Sequence, residues 1–173
     1  SEDAVNEAIN HLRRLVPESV TETLAIIGAE GYSVLMNQIP RLAEKFDLSE
    51  KTIDHLLNRY GSLIDEVLEA AAEDEDLLKP VTPELPYIRA EILYAVTHEG
   101  ARSVDDVLSR RTRIAFESKD QGLSVAQLVA ELIAPELGWK KTEKNASLKE
   151  YEAFVARQNA ILLDAKKSES KVS

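Results

Sequence analysis

Residues Tyr87–Ser118 have the sequence YIRAEILYAVTHEGARSVDDVLSRRTRIAFES, and this stretch decides the fold class. Apolar residues recur at helical spacing in its first half, which predicts a helix over Tyr87–Glu99 that ends at Gly100. In its second half, the segment from Ser103 to Asp106 resembles a capping box, whose outer side chains bind free N–H groups in the first turn of a helix. The stretch is therefore predicted to form two helices joined by a short turn.

Helical patterns continue on the N-terminal side of this pair. Apolar residues at helical spacing predict a first helix that ends at Pro17, and residues 18–31 follow it as a connector. Tyr32–Phe46 is predicted to be a second helix, interrupted or kinked at Pro40 because proline lacks the N–H that a helix interior needs. A third helix is expected over Ser49–Gly61, with the serine as N-cap and the glycine at its end, and a fourth follows.

The segment Glu73–Pro86 (EDEDLLKPVTPELP) interrupts these patterns. It contains three prolines and four consecutive acidic residues, which indicate a loop. We interpret it as a connection within one domain, because neither flanking piece is long enough to build a sufficient core alone.

The C-terminal third is also predicted to be helical. Ser124–Gln127 resembles a second capping box, which opens a helix that ends or bends near Pro135 and Gly138. Ser147–Glu150 is expected to open the last helix, and residues 166–173 are expected to be disordered. No strand pattern longer than the LAII run is present, so we predict an all-α fold, a single helical-bundle-like domain of about seven or eight helices.

Composition and charge exclude several classes of function. The chain has 173 residues, 44% apolar and 30% charged, which is typical of a globular protein that buries a core. It has no cysteine, which excludes disulfides and thiolate chemistry and favours a cytoplasmic location. A formal charge of -10 argues against nucleic acid and anionic lipid as partners. No apolar run approaches the ~20 residues of a transmembrane helix.

Catalytic, cofactor-binding and metal sites are not predicted. In the segment Ile26–Tyr32 (IIGAEGY), Gly28 and Gly31 match two glycines of a dinucleotide-binding loop. However, the first glycine is replaced by isoleucine, and Glu30 would lie where the pyrophosphate binds, so a plain connector is favoured. The histidines have no ligand set at metal-binding spacing, the acidic loop lacks the ligand pattern of an EF-hand, and no serine lies in a GxSxG motif.

The arginine-rich end of the central stretch contains the candidate contact residues. If the second helix is regular, Arg111 shares the apolar face of Val107 and Leu108, where a guanidinium needs a partner. Glu91 and Glu99 on the preceding helix are candidate partners, which would lock the two helices together. Two alternatives remain open: Arg111 docks onto the surface of another domain, or it binds a phosphate or another anion.

The other charged residues of this end lie on a neighbouring helix face. Asp106 and Arg110 are four residues apart and are predicted to form an ordinary surface pair. The complete set of candidates for structural ion pairs or interdomain contacts is Glu91, His98, Glu99, Asp106, Arg110, Arg111 and Arg113.

The central stretch resembles the C-terminal helical domain of FAD-dependent glycerol-3-phosphate dehydrogenases and the related glycerophosphate oxidases. That family has an A-E-x-x-Y-A-V-x-x-E pattern followed by D-V-L-x-R-R-T-R, and every fixed position is present here between Ala90 and Arg113. The segments Asp3–Ile9 (DAVNEAI) and Ile26–Tyr32 are also similar to the family. The resemblance covers nearly the whole chain and is weaker in Tyr32–Leu78 and after Lys140.

The resemblance implies a fragment of a larger flavoenzyme of the bacterial type. Residues 1–17 would be the trailing helix of the preceding FAD domain, 18–31 a link, 32–165 the C-terminal helical domain with the loop 73–86, and 166–173 a tail. The parent would oxidise sn-glycerol 3-phosphate to dihydroxyacetone phosphate, with electrons passing through FAD to quinone or, in the oxidases, to oxygen. FAD would bind only to the parent, and the fragment alone would be inactive.

The resemblance also implies the partners and the location. The partners would be the N-terminal FAD and substrate domains of the same protein, with a homo-oligomer of the parent as a further option. The parent would be cytoplasmic and peripheral at the inner face of the cell membrane. The missing initiator methionine agrees with a piece cut from a longer chain. Two other hypotheses remain: an autonomous helical interaction or regulatory module, and a small enzyme whose site is assembled in space.

Overall fold

The computed structural model of the chain describes residues 2–11 and 22–169. Within these residues it has nine α-helices and no β-strand, so the all-α prediction is confirmed. The helices are α1 (Glu2–His11), α2 (Tyr32–Met36), α3 (Ile39–Phe46), α4 (Glu50–Tyr60), α5 (Ile64–Glu73), α6 (Arg89–Thr97), α7 (Ile114–Glu117), α8 (Leu123–Glu136) and α9 (Lys141–Glu169). Short 3-10 turns cover Gly61–Leu63 and Glu75–Leu78, and a π-helical segment covers Asp106–Arg111.

Several helix boundaries lie where the sequence predicts them. The Ser49 Oγ accepts a hydrogen bond of 3.1 Å from the Thr52 N–H at the start of α4. Helix α4 ends at Gly61, whose positive φ of 58° favours glycine. Pro40 lies in the first turn of α3, where its missing N–H costs nothing, so the predicted helix Tyr32–Phe46 is broken into two helices. Pro17, the expected end of the first helix, lies outside the described residues.

Two predicted helix starts are wrong. Helix α8 begins at Leu123, and it is capped by the carboxylate of Asp120, which accepts from the N–H groups of Gly122 and Ser124 at 3.0 and 2.8 Å. The local acid therefore takes the role that the sequence pattern assigned to Ser124.

The last helix begins at Lys141, not at Ser147. The Glu143 carboxylate accepts from the Lys140 N–H at 2.9 Å and caps this start. Ser147 is buried within α9, and its Oγ accepts from the Val104 N–H at 3.0 Å, across the fold. Helix α9 extends to Glu169, into the segment for which we expected disorder, and residues 170–173 lie outside the described residues.

The acidic, proline-containing loop 73–86 folds back on itself. The Val81 N–H donates to the Tyr87 carbonyl at 2.9 Å, and the Arg89 N–H donates to the Lys79 carbonyl at 3.0 Å. Leu77 is buried in the same segment. The loop is therefore tied to the start of α6 and helps to position it.

Helix α6 lies between two apolar clusters. The front core contains buried residues of α3, α4 and α5, among them Ile53, Leu56, Leu57, Ile64 and Val67. The rear core contains buried residues of the π-helical segment, α8 and α9, among them Val107, Leu108, Val129, Ile133 and Tyr151. Ala90 and Tyr94 of α6 belong to the front core, whereas Ile92 and Ala95 belong to the rear core. Glu91, the buried polar residue of α6, lies between Ala90 of the front core and Ile92 of the rear core in the sequence.

Candidate functional site

Glu91 lies in the first turn of α6, and it is completely buried (0% exposed). Its Oε2 accepts a hydrogen bond of 2.9 Å from the Ile88 N–H, a group that the helix start leaves without an intrahelical partner. Its Oε1 lies 2.9 Å from Nε2 of His55 and 3.8 Å from Nε of Arg59, both on α4. A buried carboxylate costs several kcal/mol unless it is paired, so these contacts hold Glu91 between α4 and α6.

The two α4 partners of Glu91 each contact an aromatic side chain, Tyr87 or Tyr60. The rings of His55 and Tyr87 meet edge to face, with centroids 4.7 Å apart. The Arg59 Nε donates to the Tyr60 hydroxyl at 2.9 Å. Burial, followed by the negative charge of Glu91, raises the pKa of Tyr60, so this phenol stays neutral. The network therefore combines the carboxyl group of Glu91 and the guanidinium of Arg59 with the His55 imidazole and the neutral Tyr60 phenol.

Arg111 is half-buried and contacts Glu99, which lies just beyond the C-terminus of α6. Its Nε donates to the main-chain carbonyl of Glu99 at 2.8 Å. The Oε2 atom of Glu99 is buried and has no hydrogen-bond partner within the described residues. Burial raises the pKa of the Glu99 carboxyl, while the positive charges of Arg59 and Arg111 act in the opposite direction. Arg111 thus stabilises Glu99 electrostatically and hydrogen-bonds its backbone.

The predicted alternative, an ion pair between Glu91 and Arg111, is not what the structure shows. Glu91 is directed toward α4 and takes its partners there, because its position in the first turn places it next to the Ile88 N–H. The carbonyl contact of Arg111 joins the end of α6 to the π-helical segment without a direct carboxylate contact.

The second helix of the central stretch is a π-helix over Asp106–Arg111, where we expected regular α-helical geometry. The Thr112 N–H reaches back five residues and donates to the Val107 carbonyl at 2.7 Å. The Thr112 hydroxyl donates to the same carbonyl at 2.8 Å. The wider turn changes which side chains are neighbours, so faces derived from a period of 3.6 residues do not apply there.

Arg110 forms ion pairs with two acids in this wider turn. Its Nη1 lies 2.6 Å from Oδ2 of Asp105, five residues earlier, and 2.7 Å from Oδ1 of Asp106. Asp106 also accepts from the Arg102 N–H at 3.0 Å, and its own N–H donates to the Ser103 Oγ at 3.0 Å. Although partial burial raises it, the pKa of Asp106 is lowered overall by hydrogen bonds to its carboxylate from the Arg102 backbone and the Ser103 side chain and by Arg110. The carboxylate therefore stays ionised and fixes this turn.

The remaining predicted contact residues have other neighbours. The exposed ring of His98 stacks on Tyr94 at a centroid distance of 4.3 Å, and its Nδ1 lies 2.8 Å from the Thr97 Oγ1. Arg113 is exposed, and its Nε lies 3.6 Å from Oε1 of Glu117. The structure thus joins Glu99 to Arg111 and Asp106 to Arg110, while Glu91, His98 and Arg113 each contact residues outside the predicted set.

Sequence reasoning missed the α4 half of the buried network. His55 and Arg59 are four residues apart, so they lie on one face of α4, next to the buried Leu56 and Tyr60. A polar pair at this spacing, beside the apolar face of a helix, could have indicated a buried acidic partner. Its identity depended on how α4 packs on α6, which the sequence does not specify.

The segment around Gly28 and Gly31 does not fit a flavin or another dinucleotide. A Cβ on Gly28 would lie 2.6 Å from the Tyr60 carbonyl oxygen, because its backbone is pressed against the end of α4. No strand precedes it within the described residues, and the following helix, α2, has only five residues. Residues 2–11 and 22–169 also contain no cluster of three His, Asp or Glu that could hold a metal ion. None of the helices described is both long and apolar enough to cross a membrane.

Comparison with known proteins places this architecture in a family. The family described as the C-terminal domain of alpha-glycerophosphate oxidase matches residues 19–144, which is most of the chain. The chain belongs to this family. The resemblance of the central stretch is thereby confirmed, and no solved structure matches the chain.

Three relatives of this chain are named glycerol-3-phosphate dehydrogenases. The glycerol-3-phosphate dehydrogenase of Mycobacterium leprae is 39% identical over 153 residues, which cover 88% of the chain and 26% of the relative. A mitochondrial glycerol-3-phosphate dehydrogenase of Arabidopsis thaliana is 32% identical over 96% of the chain and 29% of the relative. A glycerol-3-phosphate dehydrogenase of Synechocystis is 28% identical over 92% of the chain and 29% of the relative. The chain spans about a quarter of the length of these relatives.

Proposed function

We propose that this chain is the C-terminal helical domain of an FAD-dependent glycerol-3-phosphate dehydrogenase. The parent oxidises sn-glycerol 3-phosphate to dihydroxyacetone phosphate, with two electrons passing through FAD to quinone. The observation that carries this proposal is the family match over residues 19–144, together with relatives that bear this enzyme name. The chain accounts for only 26% of the length of the mycobacterial relative, so we assign flavin and substrate binding to other domains of the parent.

The role of the domain itself is structural and interdomain. The Glu91 network ties α4 to α6, and the contact of Arg111 with Glu99 ties α6 to the segment that follows. Both connections join neighbouring elements of the domain. Because they restrict movement of these elements, they favour a rigid domain that supports the flavin domain. Residues 1–17 are assigned to the trailing helix of that domain, 18–31 to the link and 32–165 to the helical domain.

The proposed location follows from the proposed chemistry. An enzyme that reduces quinone works at a membrane, so we place the parent at the inner face of the cell membrane, bound peripherally. The acidic chain described here is not expected to provide the attachment to anionic lipid.

The test compares the longer gene product with the isolated chain of 173 residues. The parent is expected to purify with visible flavin absorbance that glycerol 3-phosphate bleaches, and to reduce a soluble quinone analogue. The isolated chain is expected to be colourless and helical by circular dichroism. Micromolar binding of FAD by the isolated chain, or oxidation of glycerol 3-phosphate by it, would show that the proposed division between domains is wrong.

A further inference from the structure

Ile26 and Ile27 are large apolar side chains that the fold leaves in solvent. They are 79% and 84% exposed, and Leu24 beside them is also exposed. Single apolar residues on a surface are common, but a cluster of consecutive ones indicates a contact surface. A shallow cavity of about 300 Å³ adjoins them, lined also by Tyr32 and Arg59.

The backbone under these isoleucines is fixed in one conformation. The Ala29 N–H donates to the Ile26 carbonyl at 3.0 Å and closes a turn. The Ser62 N–H donates to the Gly28 carbonyl at 2.9 Å, which fastens the turn to the end of α4. A Cβ on Gly61 would lie 2.0 Å from the Gly28 carbonyl oxygen, so this close approach requires glycine. The two isoleucines are thus presented on a specific scaffold.

Position in the chain and charge indicate what covers them. The family match begins at residue 19, just before this turn, and the family is described as a C-terminal domain. About three quarters of the mycobacterial relative lies outside the matched region. The preceding part of such a protein joins the domain next to these isoleucines. Exposed Glu22 and Glu30 flank them, which disfavours an anionic membrane as the occupant.

We propose that Ile26 and Ile27 are the apolar centre of the surface on which the preceding, flavin-binding domain of the parent docks. This inference rests on the proposed function and deepens it, because it names the contact surface. It also places the main interdomain contact at the link, at a different part of the sequence from the arginine-rich segment that ends at Arg113. The complementary surface is an apolar pocket whose rim carries basic groups opposite Glu22 and Glu30.

Hydrogen exchange of the parent and of the isolated chain tests this surface. Amides of residues 24–28 are expected to exchange about tenfold or more slowly in the parent, because docking excludes solvent and restricts local opening. Equal exchange in both proteins would overturn the proposal. Slow exchange in the isolated chain would also overturn it, since other residues of this chain would then cover the isoleucines.

A double variant with a matched control separates docking from folding. Ile26→Asp/Ile27→Asp is expected to leave the melting midpoint of the isolated chain nearly unchanged, because both side chains are exposed. In the parent, the same change is expected to make limited proteolysis release the C-terminal domain about tenfold faster. The control, Ile161→Asp/Leu162→Asp, changes two similarly exposed apolar residues (63% and 56%) on α9 and is expected to have no such effect.

The outcomes distinguish this inference from the proposed function. A parent that oxidises glycerol 3-phosphate but releases the domain equally in both double variants overturns the docking surface only. An isolated chain that dimerises, and that Ile26→Asp/Ile27→Asp converts to a monomer, overturns it in favour of a second copy. A longer gene product with no flavin and no oxidation of glycerol 3-phosphate overturns the proposed function and the flavin domain as occupant.

Discussion

The buried network around Glu91 and the surface cluster around Arg110 use similar charges in opposite ways. Glu91 is fully buried, with its oxygens held by a backbone N–H, a histidine and a guanidinium. Arg110 is largely exposed and contacts two acids that are themselves partly hydrated. An unpaired charge is expensive in the interior, whereas water solvates a surface charge as soon as its partner is removed. This difference predicts that Glu91 contributes more to the free energy of unfolding than Arg110 does.

The largest expected effect comes from Glu91→Ala. The change leaves the Ile88 N–H unpaired and removes the acceptor of His55 and Arg59, so we expect a loss of ~3–5 kcal/mol in the free energy of unfolding. Urea denaturation of the 173-residue chain measures it. Glu91→Gln retains one hydrogen-bond acceptor and is expected to lose less. Glu131→Ala, an exposed control, is expected to change the free energy by less than ~0.5 kcal/mol. If Glu91→Ala costs no more than this control, the network does not hold α4 on α6.

Arg111→Ala is expected to have an intermediate, pH-dependent effect. It removes the hydrogen bond to the Glu99 carbonyl, which corresponds to ~1–2 kcal/mol, and a positive charge near the Glu99 carboxylate. Because burial raises the pKa of Glu99, the protonated carboxyl is favoured in the folded state, and stability is lost as the pH rises through the raised value. Loss of Arg111 raises this pKa further.

The pH dependence separates a charge effect from simple loss of packing. Arg111→Ala is expected to destabilise the chain more at neutral pH than at about pH 4, where the Glu99 carboxyl is protonated. The difference is measured by urea denaturation at both pH values. In a Glu99→Gln background it is expected to disappear, because no carboxyl remains to titrate. An equal loss at both pH values in the Glu99 protein would contradict the electrostatic role of Arg111.

Asp120→Ala tests a carboxylate that accepts several hydrogen bonds at the start of α8. The Ser118 hydroxyl and the Ser124 N–H hold the pKa of Asp120 well below its usual range. A lowered pKa contributes stability above the ordinary value of about 3.9, and that stability is lost as the pH falls through the lowered value. We expect a loss of ~1 kcal/mol at neutral pH, typical of a helix cap, and a shallower decrease in stability in acid. A variant whose stability falls as steeply in acid as the unchanged chain would contradict this.

Helices and turns that depend on local chemistry could be predicted from the sequence. The N-cap Ser49 acts through a contact within three residues, and the positive φ of Gly61 at the end of α4 is a local requirement, so sequence spacing specified both boundaries. Two other capping predictions failed because another residue took part in the expected hydrogen bond, either nearby in the sequence or far from it. Asp120 binds the N–H groups that Ser124 was expected to serve, and Ser147 binds the N–H of Val104, 43 residues away.

The contact residues were harder to predict, because their partners depend on tertiary packing. Asp106 and Arg110 are four residues apart, a spacing that predicts contact on a helix, and the structure shows them paired. The π-helical turn could not be foreseen, and it added Asp105 as a second partner. Glu91 was a candidate because it lies on the helix before Arg111, but its partner His55 on α4 is 36 residues away. Sequence patterns therefore indicated which residues needed partners more reliably than which partners they have.

Arg110→Ala is expected to have the smallest effect, less than ~0.5 kcal/mol. Surface ion pairs gain little over hydration, and ordering the long arginine side chain opposes the gain. Asp106→Ala should cost more than Arg110→Ala, since Asp106 also accepts from the Arg102 N–H. Urea denaturation at low and high salt measures both changes, with the exposed Arg102→Ala as control. The small effect of Arg110→Ala should shrink in high salt, because salt screens exposed charges. A loss above ~1 kcal/mol that resists salt would mean that Arg110 behaves like the buried charges around Glu91, and the contrast between the two clusters would fail.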